Sequence, residues 1–65
     1  MPAKYPNIVV DIDTFDINEI VFKVSQALRE NKIHEDEIEA FITSATETID
    51  LHEVLYMAGT LVRIQ

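Results

Sequence analysis

The side chains that could do chemistry in this chain are carboxylates and two imidazoles. Asp11, Asp13, Asp16 and Asn18 crowd one short stretch with oxygen donors, and hard divalent cations are what such donors hold. The spacing departs from a calcium loop: Phe15 stands where an oxygen ligand is due, Asp16 where the loop needs Gly, and the closing Glu is missing. His34 with Glu35 and Glu37, and Asp50 with His52 and Glu53, offer mixed nitrogen and oxygen donors. Neither group places two histidines at the i, i+4 spacing of a helical zinc site. Helix caps and first-turn acids account for His34, Glu37, Asp50 and Glu53 without a ligand. The chain has no Cys, one Gly, and no Ser-His-Asp or Cys-His arrangement. No catalytic residue, metal site or cofactor is therefore expected, and a non-enzymatic role is.

Residues 8 to 15, IVVDIDTF, form an apolar run that ends in Asp11, Asp13 and Thr14. This resembles the signature of haloacid-dehalogenase phosphatases. The resemblance implies a nucleophilic first Asp, an acid-base second Asp and a magnesium ion. Here Thr14 follows Asp13 with no residue between them, and 65 residues cannot hold that family's large α/β domain. Asp11 and Asp13 are expected instead as the polar positions of an alternating strand end.

The elements that must position these residues follow from periodicity. Ile8, Val10 and Ile12 alternate with Val9, Asp11 and Asp13, so Asn7 to Asp13 reads as a strand that Pro6 is free to lead into. From Asp16 to Lys32, Ile17, Ile20, Val21, Val24, Ala27 and Leu28 share one face of an amphipathic helix. Asp16 and Glu19 have the spacing of a capping box, Phe15 is placed to staple against Ile20, and Asn31 suits the left-handed exit.

A second helix is expected from Glu35 to Ala45, with His34 at its N-cap and Ile38, Phe41, Ile42 and Ala45 inward. After a loop at Thr46 to Ile49, Asp50 and Glu53 repeat the capping pattern ahead of Leu51, Val54, Leu55 and Ala58. Gly59 can close this third helix in the left-handed conformation, leaving Thr60 to Gln65 as a second strand. The rival reading carries the helix through Gly59 at a cost of about 1 kcal/mol. The expected fold is one small α+β domain over residues 1 to 65, β-α-α-α-β, with two short strands packed on helices. Ile8, Val10, Ile12, Val62 and Ile64 would face the first helix, with Val9 and Leu61 on the outer face. The aromatics Phe22, Phe41 and Tyr56 belong to a core or a subunit interface.

Size and charge bound the partners. A 65-residue domain buries only about 60% of the surface its unfolded chain exposes. With no disulfide to compensate, self-association is the remaining stabiliser, and a homo-oligomer is expected. Val9, Leu61 and Arg63, on the outer face and edge of the small sheet, are the expected interface. Residues 1 to 32 carry five acids and four bases, whereas Ile33 to Val62 hold seven acids and no Lys or Arg. Nucleic-acid binding is disfavoured on that count. The exposed acids Glu35, Asp36 and Glu39 are the expected face for a basic protein partner. No apolar run approaches the ~20 residues of a membrane span, and no signal-peptide core follows the N-terminus. No membrane partner and a cytoplasmic location are expected.

The outline also resembles a family of small uncharacterised proteins encoded in bacterial and phage genomes. The residues that carry the likeness are Tyr5-Pro6-x-Ile8-x-Val10, Ala27-Leu28-Arg29, Ile33-x-Glu35-x-Glu37-Ile38-x-Ala40-Phe41, Ala45-Thr46, Asp50, His52 and Val62. That family carries Gly-Asn at the opening of the first helix, a Gly ending it and a Trp beside the final Val; here those places hold Ile17-Asn18, Lys32 and Leu61. The resemblance implies a compact β-α-α-α-β domain of mobile-element origin and brings no catalytic residue with it. Two functions are weighed: an acidic homo-oligomeric protein that, if phage-encoded, inhibits a host protein, and an oligomer that binds or sequesters a small nucleotide signal.

Overall fold

A computed structural model of the protein describes residues 3–65. The order is β1 (Tyr5–Val10), α1 (Ile17–Glu30), α2 (Glu35–Thr46), α3 (Leu51–Leu61) and β2 (Val62–Ile64), the α+β arrangement expected. The two strands pair with each other, and they pair in parallel. Parallel neighbours need a crossover connection, and here the crossover is the whole helical part of the chain. Among the described residues no helix is long and apolar enough to cross a membrane.

α1 is the central packing element. Ile20, Val24 and Leu28, one turn apart along its inner face, have no exposed surface, and they join Ile38 of α2, Val54 and Ala58 of α3 and Val62 of β2, also fully enclosed. Ile8, Val10, Phe41 and Ala45 complete the core. Ser25 is the one polar residue buried among the described residues, and its hydroxyl donates to Val21 O at 2.7 Å, so its burial leaves no orphan group.

The strand bounds differ from expectation because each strand exists only where its partner does. β1 begins at Tyr5 rather than Asn7, since Lys4 N donates to Thr60 O at 2.9 Å and Tyr5 pairs with Val62. It ends at Val10 rather than Asp13, because β2 supplies only three residues. Between the pairs Tyr5↔Val62 and Val9↔Arg63, β1 advances four residues while β2 advances one. Pro6 lies in that bulge, as a residue with no N–H to give the ladder must. The inner face is also shorter than expected: Ile12 is half-buried and Ile64 is 36% exposed.

Both ends of α1 are built differently from the expected caps. Asp16 accepts from Asn18 N at 2.9 Å, but its own N–H donates to the Thr14 hydroxyl at 3.1 Å, not to Glu19. Thr14 thus braces the entry, and Phe15, 87% exposed, does not staple to the enclosed Ile20. At the exit Asn31 stays at φ −97 and Lys32 takes the left-handed conformation, φ 60. Lys32 N donates to Arg29 O and Ile33 N to Leu28 O, both at 3.0 Å, which is the Schellman pattern. Ile33, half-buried, rests on the core beside Leu28.

α2 runs one residue further than expected, to Thr46, and His34 does cap it, Nδ1 accepting from Asp36 N at 3.1 Å. α3 does not stop at Gly59. Gly59 has no positive φ, the Thr60 hydroxyl donates to Met57 O at 2.6 Å, and Val62 N closes the last turn on Ala58 O. The continuing helix thereby displaces the first two residues of the expected second strand, and Leu61 becomes the end of α3.

Lys32 pays the left-handed penalty of an L-residue with a side chain. Lys32→Gly is expected to stabilise the domain by up to ~1 kcal/mol, read as a higher urea midpoint at an unchanged slope.

Candidate functional site

Asp11 and Asp13 lie beyond the end of β1, both exposed. The Asp13 carboxylate accepts from Lys23 Nζ at 2.8 Å, and Lys23 holds that carboxyl below the usual range through this hydrogen bond and then its charge. Asp16 is occupied with its cap. The donors named for a calcium loop are therefore spread over separate local tasks, and no group of three or more His, Cys, Asp or Glu among the described residues is arranged to hold a metal ion.

The histidine groups are spread in the same way. His34 and Asp50 are N-caps, Asp50 accepting from His52 N at 2.9 Å, and Glu53 accepts from the Thr48 hydroxyl at 2.8 Å. Glu37 takes Lys4 Nζ at 2.7 Å on one oxygen and the Tyr5 hydroxyl at 2.6 Å on the other. This three-residue clasp ties the start of β1 to the first turn of α2 across more than thirty residues of sequence, a separation no local pattern announces. The hydrogen bond from Lys4, then that from Tyr5, hold the Glu37 carboxyl below its usual range; Glu37 in turn raises both Lys4 and Tyr5, chiefly through the same bonds.

Glu35, Asp36 and Glu39 are all exposed on the first two turns of α2, at spacings that share a face. Arg29 Nη2 reaches Glu35 at 3.1 Å and His34 lies 3.7 Å from Asp36. Such solvent-facing pairs are worth little, so the face stays acidic. Of the expected interface residues, Val9 and Arg63 are brought together as exposed partners across the sheet. Leu61 is not with them. It is half-buried in the crease between α2 and α3, among Ala40, Phe41 and Met57, because α3 runs on to include it. Of the three aromatics assigned to core or interface, Phe41 is buried while Phe22 and Tyr56 are exposed.

Two features escaped the sequence. A hollow of about 580 Å³ lies along β2, lined by Pro6, Leu55, Gly59, Val62, Arg63 and Ile64. Gly59 forms part of its wall, and a methyl group added there would meet nothing within 4 Å. The second is Ile49, 97% exposed in the short α2–α3 connection. Gly59, the one glycine in the sequence, was the available signal for the first. No family model, curated protein or solved structure matches the chain.

The clasp sets an acid limit on stability. Glu37 and Asp13 have depressed folded-state values, so their contribution is complete above the ordinary carboxylate range and is lost as pH falls through the folded values. Urea midpoints taken at about pH 6 and about pH 3 are expected to drop less for Glu37→Gln than for the parent chain. An equal drop in both would remove Glu37 from the acid response.

Proposed function

We propose that this chain is a small acidic, non-enzymatic interaction protein of the cytoplasm that works as a homo-oligomer, and that it is phage-encoded and inhibits a host protein. The observation that carries the association is the sheet. With two strands in the order β1-β2, each strand has one edge without a partner in its own chain, and open edges invite a further strand or a second subunit. Exposed Phe15, Phe22, Ile49 and Tyr56 add apolar surface to a domain with a small core. Glu35, Asp36 and Glu39 are the surface offered to a basic partner, and the bacterial and phage family the sequence resembles supports the host-directed role.

A second reading rests on the hollow beside β2. Its volume suits a small molecule, and Arg63 is the one cation on its wall among the described residues, so the ligand would be a small nucleotide held between subunits.

Light scattering and native mass spectrometry distinguish these readings from a plain monomer: a mass above 7.4 kDa is expected, and a monomer at every concentration overturns both. Reversal of Glu35, Asp36 and Glu39 to Lys is expected to abolish capture of the host partner, and unchanged capture removes the acidic face from recognition. Stabilisation by nucleotides in a thermal-shift screen would move the assignment to the ligand reading.

A further inference from the structure

We propose that the hollow beside β2 receives the Thr48–Asp50 segment of a second copy, so that the chain associates head to tail. This rests on the homo-oligomer reading above and adds the surfaces that meet. The side chains that line the hollow are apolar apart from Arg63, and no acid lines it among the described residues of a chain with twelve acids and five bases. Three of those bases, Lys4, Lys23 and Arg29, each sit beside a carboxylate of their own chain. Arg63 is in no ion pair among the described residues. The site therefore asks for an apolar side chain next to a carboxylate.

The α2–α3 connection presents that pair. Ile49 stands almost wholly in solvent, followed by Asp50 in extended conformation, with Glu47 two positions before it. The segment is braced rather than frayed: the Thr48 hydroxyl donates to Glu53 at 2.8 Å and accepts from Asp50 N at 3.1 Å. A knob held ready in this way loses little freedom on binding. Asp50 caps α3 through Oδ1, which leaves its other oxygen for Arg63.

The receiving wall matches. Leu55 and Gly59 are one turn apart on α3, and the missing side chain at Gly59 opens the space that a branched residue from outside would fill. Along its other side, Gln65 N donates to Val10 O and Gln65 O accepts from Ile12 N. Peptide groups alternate along a strand, so those of Ile64 face away from β1 and are open to an incoming extended segment.

The loop does not fill the hollow of its own copy. Ile49 is 97% exposed and is not on the hollow's wall, and Gly59 lies at the far end of α3 from it. A symmetric pairing of two β2 edges is disfavoured, because it brings Arg63 of both copies together. The loop-to-hollow contact repeats head to tail, closing into a ring or running on as a filament, unless two copies make it reciprocally about a two-fold axis; a parent mass that stops at two copies overturns the head-to-tail form.

The test is the mass of variants by light scattering over a dilution series, with circular dichroism to confirm folding. Ile49→Asp removes the knob, Gly59→Leu fills the hollow and Arg63→Glu reverses its charge; each is expected to return a 7.4 kDa monomer. Mixing Ile49→Asp, whose hollow is intact, with Gly59→Leu, whose loop is intact, is expected to give a heterodimer that grows no further. If the parent chain associates and all three variants still do, the inference falls and the homo-oligomer reading stands. If the variants are monomers but the mixture stays monomeric, the head-to-tail arrangement is overturned. A parent chain that never associates overturns both.

Discussion

Parallel pairing of β1 with β2 is the constraint on which the rest of this domain depends. Antiparallel strands could have been joined by a tight turn, but parallel ones must be reached by a chain that travels back along the sheet. Three helices make that return. α1 leaves the end of β1 and lies at the centre, where Ile20, Val24 and Leu28 touch no solvent; α2 and α3 pack around it, and α3 delivers Val62 directly into the sheet. The Lys4–Tyr5–Glu37 clasp fastens the same strand to α2 from the outside, so β1 is held by hydrogen bonds on one side and by side chains on the other.

What could be read from the sequence was what local chemistry decides. The apolar face of α1 and the N-caps Asp16, His34 and Asp50 follow from spacing and side-chain type, and all three caps accept as expected. The errors fall where a distant partner or a competing local bond decides. Gly59 looked like a helix end, but the Thr60 hydroxyl and the Val62 N–H extend the last turn, which shortens β2 and with it β1. Asn31 is the better left-handed residue by type, yet Lys32 takes φ 60 because only then does Ile33 fold back onto the core beside Leu28.

The candidate site was legible only in part. The acidic face of α2 needed nothing beyond helical spacing. Val9 and Arg63 meet because strand register places them together, and Leu61 does not because the helix keeps it. The hollow beside β2 takes its wall from both ends of the chain, so no window of sequence contains it. Charge tells the same story: the total is strongly acidic, but Lys4, Lys23 and Arg29 are each matched to a carboxylate, and what is left for partners is an acidic helix face and an apolar edge whose one cation is Arg63.

The pairing of Tyr5 with Val62 has a consequence for the order in which this molecule assembles. The partners are separated by 62 − 5 = 57 positions, nearly the full span of the described chain, and contacts of such long range slow folding because the loop must close before any bond rewards it. The sheet therefore forms only when nearly the whole described chain closes on itself, whereas each of the three helices is built from contacts within a few turns.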